Sequence, residues 1–112
     1  MKLKDNQWAN IGNLSVIILN TPISGKLNRL LKIVADKTLP IRTQFEREFE
    51  EALIEADSPA FGSEKWLEVN IAISNSFAKG ETELDIPEFK AEWFDEVKFQ
   101  PGHYDLLSPI LT

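Results

Sequence analysis

Glu64-Lys65-Trp66-Leu67-Glu68-Val69-Asn70-Ile71-Ala72-Ile73-Ser74-Asn75-Ser76-Phe77-Ala78-Lys79 is the stretch on which the fold turns, because it obeys two periodicities at once. With a period of two, Leu67, Val69, Ile71 and Ile73 alternate with Glu68, Asn70, Ala72 and Ser74, as a half-buried strand would. At about 100° per residue, Trp66, Val69, Ile73 and Phe77 gather on one side and Glu64, Lys65, Glu68, Asn75, Ser76 and Lys79 on the other. Only the helix explains the flanks, where Ser63 stands to cap the start and Gly80 the end. The expectation is a helix here and a mainly α protein, a compact domain of four to five helices. The strand reading gives the alternative, an α+β domain with a small sheet from 14–19, 66–73 and 81–86.

Upstream, Ile41 to Asp57 has the strongest pattern in the chain. Ile41, Phe45, Phe49, Ala52, Leu53 and Ala56 fall within a face of about 120°, and the opposite side is acidic. Arg42 with Glu46 and Arg47 with Glu51 stand four apart, but such pairs contribute only ~0.2 to 0.5 kcal/mol each, so packing of the phenylalanines must hold this helix. Lys37-Thr38-Leu39-Pro40 reads as a break before it. The preceding helix is expected from the cap and early proline Thr21-Pro22 to Lys37, with Leu27, Leu30, Leu31 and Val34 on one face and Arg29, Lys32 and Asp36 on the other. Asn6 to Leu19 fits neither period cleanly and is expected to be buried, its Leu14 to Leu19 end being a short central strand or the tail of a buried helix.

Downstream, Asp85-Ile86-Pro87 looks like a cap and early proline, and Phe89, Trp93, Phe94 and Val97 follow at helical spacing until Gln100-Pro101-Gly102 breaks the run. The tail carries Tyr104, Leu106, Leu107, Ile110 and Leu111, apolar enough that it should pack on its own domain or on a partner. The expected core contains Leu27, Leu31, Phe45, Phe49, Leu53, Trp66 and Ile73.

The whole chain, 112 residues with 43% apolar and 27% charged, is expected to form a single globular domain over 1–112. It holds no cysteine, which excludes disulfides and thiolate metal sites and favours the cytoplasm. Its longest unbroken apolar run is Val16 to Leu19, so neither a secretion signal nor a membrane span is expected.

Charge is the most informative quantity. Residues 1–42 hold seven bases and two acids, a net +5, whereas the remainder holds five bases and sixteen acids, a net −11. A dense acidic surface repels nucleic acid and speeds encounter with basic protein patches. The functional expectation is a small acidic protein-binding module of inhibitor, antitoxin or immunity type, docking on a basic surface of another protein through Glu92, Trp93, Asp95, Glu96, Tyr104 and Leu107. The alternative is a nucleic-acid-associated regulator or assembly subunit that touches phosphate through Lys26, Arg29, Lys32 and Lys37.

Catalysis, cofactors and metals are not expected. Asn20-Thr21-Pro22-Ile23-Ser24-Gly25-Lys26-Leu27 places asparagine where a phosphate loop needs glycine and leucine where it needs a hydroxyl. The one histidine, His103, has only Asp105 beside it to orient it. Glutamate rows such as Glu48, Glu51, Glu55 and Glu88, Glu92, Glu96 lack the glycine-bearing Asp-rich loop of a calcium site. A helix-turn-helix would carry Glu46, Glu48, Glu50, Glu51 and Glu55 into a field of phosphates, the wrong sign for that motif.

Overall fold

A computed structural model describes residues 1–95 and 97–112. The protein is mainly α. Two three-residue strands, β1 (Lys2–Lys4) and β2 (Glu81–Glu83), pair antiparallel with Leu3 opposite Thr82. Three longer helices, α1 (Asp5–Leu19), α2 (Gly25–Glu55) and α3 (Glu64–Phe77), are followed by a single 3-10 turn (Ala91–Phe94), the short α4 (His103–Leu107) and a second 3-10 turn (Ser108–Ile110).

The stretch is helical over Glu64–Phe77 and closes on Ala78, two residues before the expected stop at Gly80. Ser63 Oγ accepts from the Trp66 amide at 3.3 Å, the cap its position predicts. Of the three strands in the α+β alternative, 14–19 and 66–73 are helical, whereas 81–86 does supply a strand over 81–83, paired with the N-terminal Lys2–Lys4. Lys2 and Lys4 face Glu83 and Glu81 across this ribbon.

In α1, Trp8, Ile11, Leu14, Ser15 and Ile18 are buried, a spacing that resolves the ambiguous segment as a helix. Burial there is one-sided, since Val16 and Ile17 of the same apolar run are exposed. Buried polar groups find partners: the Trp8 indole donates to the Thr82 carbonyl at 2.8 Å, and the Ser15 hydroxyl to the Ile11 carbonyl at 2.8 Å. Trp8 thereby ties the ribbon to the core.

The expected break at Lys37–Pro40 does not occur. α2 runs through Pro40 for 31 residues and sets the molecule's longest dimension, 44 Å. An interior proline removes an amide and crowds the carbonyl four residues back, a cost of about 3 kcal/mol. Here a side-chain clamp spans the damaged turn: Arg42 Nη2 donates to the Ala35 carbonyl at 2.6 Å, Arg42 Nε to Thr38 Oγ1 at 3.2 Å, and Thr38 Oγ1 to the Val34 carbonyl at 2.8 Å. Gly12 of α1 makes room for this clamp, because a Cβ there would collide with Thr38 Oγ1 and the Arg42 side chain. The helix also starts later than Thr21-Pro22 suggests, at a cap formed by Ser24 Oγ and the Leu27 amide.

The core is centred on Trp8, Ile11, Leu27, Leu31, Val34, Phe89, Phe94, Leu107 and Ile110. Of the expected core residues, Leu27 and Leu31 are buried, whereas Phe45, Phe49, Leu53, Trp66 and Ile73 are only half-buried. The C-terminal segment takes their place. Its expected helix from Asp85 shrinks to the 3-10 turn, because Pro87 favours extended backbone before it and Phe89 and Phe94, five apart, both reach the core. The tail packs on its own chain: the Thr112 amide donates to the Phe89 carbonyl at 2.7 Å, and Leu107 and Ile110 are fully buried.

Between Thr43 and Lys79 only Val69 is buried. The second half of α2 and α3 thus form an arm beyond the core, and the radius of gyration, 14.9 Å, exceeds the roughly 13 Å of a compact chain this long. The arm is held by edge-on aromatic contacts, Phe45 with Phe77 at 5.0 Å and Phe49 with Trp66 at 5.3 Å.

Candidate functional site

Folding redistributes the charge that the sequence separates. The body, residues 1–42 and 80–112, holds nine bases and ten acids, whereas the arm, 43–79, holds eight acids and three bases. Body charges of opposite sign are brought together: Lys2 pairs with Glu81 at 3.5 Å and the N-terminal amine with Glu83 at 3.1 Å. In the arm, Lys65 with Glu68 at 3.6 Å is the one ion pair among the described residues. Exposed pairs add little stability, so the consequence is one of potential: a nearly neutral body carries an arm of net −5.

The arm's acids also stand where α2 tolerates them least. Glu50, Glu51 and Glu55 lie near its C-terminus, whose unpaired carbonyls form the negative end of the helix dipole, and the last turn holds no base. Local helix energetics do not account for that placement.

Apolar groups accompany the acids. Phe61, in the loop joining α2 to α3, is 88% exposed and rests on Trp66 at 4.8 Å between ring centres. Ile54, Leu67 and Ile71 are exposed by 70%, 49% and 59%. Sequence reasoning missed these residues, yet a signal was present: in projection Leu67 and Ile71 fall on neither the Trp66–Phe77 side nor the charged side of α3.

The residues expected to bind a partner do not form one patch. Glu92, Trp93 and Asp95 line a shallow cleft with Ser24, Lys26 and Leu27, and the Lys26 ammonium sits 4.3 Å above the Trp93 ring. Tyr104 is half-exposed, edge-on to Phe99 at 6.0 Å. Leu107 has no exposed surface, because the tail that carries it closes the core, and it is withdrawn from any contact surface. Glu96 lies outside the described residues.

The phosphate candidates are partly engaged as well. Lys26 is committed to Trp93 and the Lys37 ammonium donates to the Asp85 carbonyl, while Arg29 and Lys32 are exposed. His103 Nδ1 accepts from the Gln100 amide at 3.3 Å, closing the Pro101-Gly102 turn, and no hydrogen bond joins it to Asp105 among the described residues. Among those residues no three His, Asp or Glu side chains stand together as a metal site, and no helix is long and apolar enough to cross a membrane.

No family model, no curated protein and no solved structure matches this chain.

Proposed function

We propose that the protein is a small binding module whose acidic arm docks on a basic surface of another protein, and that it carries out no reaction of its own. The observation that carries this reading is the segregation of charge in the fold, with eight acids against three bases on a projection that contributes almost nothing to the core. Such a field accelerates encounter with a cationic partner and orients the approach. A partner that handles nucleic acid through a basic face would be blocked by the arm, which is how an inhibitor, antitoxin or immunity protein would act. The absence of cysteine fits a cytoplasmic setting.

The basic stretch of α2 gives the rival reading, contact with phosphate, but two of its four cations are engaged within the chain. Capture from source cells with three baits separates the two. The baits are the natural chain, a Glu50→Lys, Glu51→Lys, Glu55→Lys variant and an Arg29→Glu, Lys32→Glu variant. On the reading proposed, the arm variant loses a protein partner that the other two retain. Loss confined to the Arg29 and Lys32 variant, with a salt-sensitive shift of DNA or RNA by the natural chain, would favour phosphate contact instead.

A further inference from the structure

We infer that one side of the arm is a groove for a cationic amphipathic helix of a partner protein, an inference that rests on the acidic-arm reading above. α2 and α3 meet through Phe45, Phe49, Trp66 and Phe77, which fixes the direction in which each helix faces the other. Turning from that seam by about 100° per residue brings Leu53 of α2 and Leu67 and Ile71 of α3 out on the same side. The opposite side turns toward α1, where Glu48 and Ser76 share a cleft with Asp5. Leu53 is half-buried and Leu67 and Ile71 are exposed, so they form an apolar floor, with Ile71 one helical turn beyond Leu67. The same projection puts Glu46 and Glu50 on one rim and Glu64 and Glu68 on the other.

Charge and shape together select the occupant. A second copy would bring a like-charged arm against this one. A flat basic surface would meet the rims and leave Leu67 and Ile71 wet. A helix with leucine-like anchors at i, i+3, i+4 and i+7 and lysine or arginine beside them covers the floor and neutralises both rims.

The test uses the full chain and a synthetic Leu/Lys peptide of roughly 18 residues, patterned at helical spacing, beside an isomer of identical composition with its leucines scrambled. The patterned peptide gains helicity on binding and binds at least about tenfold more tightly than the isomer. Leu67→Ser with Ile71→Ser weakens it about tenfold at unchanged Tm, both side chains being largely in water already. Glu64→Lys with Glu68→Lys, which leaves the floor intact, weakens it too and serves if the serine pair fails to fold. Equal affinity for the two isomers, or natural affinity in the serine pair, overturns the groove and leaves the acidic arm standing. Failure to bind either peptide overturns both. A dimer of the chain alone that the serine pair dissolves makes a second copy the occupant and overturns the inference.

Discussion

The Arg42 guanidinium donates to the Ala35 carbonyl at 2.6 Å, bridging the turn of α2 from which Pro40 removes an amide. Since the same side chain also bonds Thr38, its loss removes two side-chain hydrogen bonds, at least one of them charge-assisted, from a partly buried turn. Arg42→Ala should cost about 1 to 3 kcal/mol by urea unfolding, and Arg42→Lys, which lacks the planar fork, should recover only part of it. The penalty should shrink in a Pro40→Ala background, where the helix regains its own bond. Equal penalties in both backgrounds would mean that the clamp does not serve the proline turn.

Gly12→Ala is a contest between two effects of opposite sign. Helix propensity favours alanine by about 1 kcal/mol, whereas forcing a Cβ into Thr38 Oγ1 and the Arg42 side chain costs about 1 to 3 kcal/mol. The collision should win and lower Tm. Arg42→Ala clears part of that space, so the two substitutions should be clearly non-additive in a double-mutant cycle.

Leu107→Ala should destabilise the chain by about 2 to 5 kcal/mol, because the residue is fully buried in the central core. Tyr104→Ala, three residues earlier and half-exposed, should stay within about 1 kcal/mol. Thermal unfolding of the pair reads this directly. Similar small effects would show that the tail is not part of the folded core.

Reversing Glu50, Glu51 and Glu55 to lysine should raise stability. Each lysine near the C-terminus of α2 meets the favourable end of the dipole, worth about 0.3 to 1 kcal/mol at low salt, and relieves repulsion within the arm. Urea titrations at low and high salt check this, with the gain fading as salt rises. A destabilised variant would mean that these acids hold the arm together.

How far the sequence could be read depended on whether a segment's contacts are local. Ser63 and the Trp66–Phe77 spacing are local signals, and they placed α3 and its start correctly, whereas the helix closes on Ala78 and not on a left-handed Gly80. Pro40 misled because its compensation comes from Arg42 and Thr38 side chains and from space left by Gly12 on another helix. The phenylalanine face of α2 has the cleanest periodicity in the chain, yet it packs on one helix alone and stays half-buried. Trp8, Phe89, Phe94 and Leu107 form the true centre through contacts between the two ends of the chain, which no window of sequence displays. Charge could be summed along the chain but not placed: the excess of acids over residues 43–112 is real, and folding pairs Glu81 and Glu83 with cations of the N-terminus and leaves a net −5 on the arm.

The association rate constant with the captured partner, followed as a function of ionic strength, tests the acidic arm most directly. The natural chain should associate fast at low salt and slow steeply as salt rises. The Glu50→Lys, Glu51→Lys, Glu55→Lys variant should associate at least about tenfold more slowly at low salt with a flattened salt dependence, while Glu92→Lys with Asp95→Lys leaves both nearly unchanged. Retention of the full rate and its salt slope by the arm variant, with loss in the Glu92 and Asp95 variant, would contradict the account and return the contact to the body.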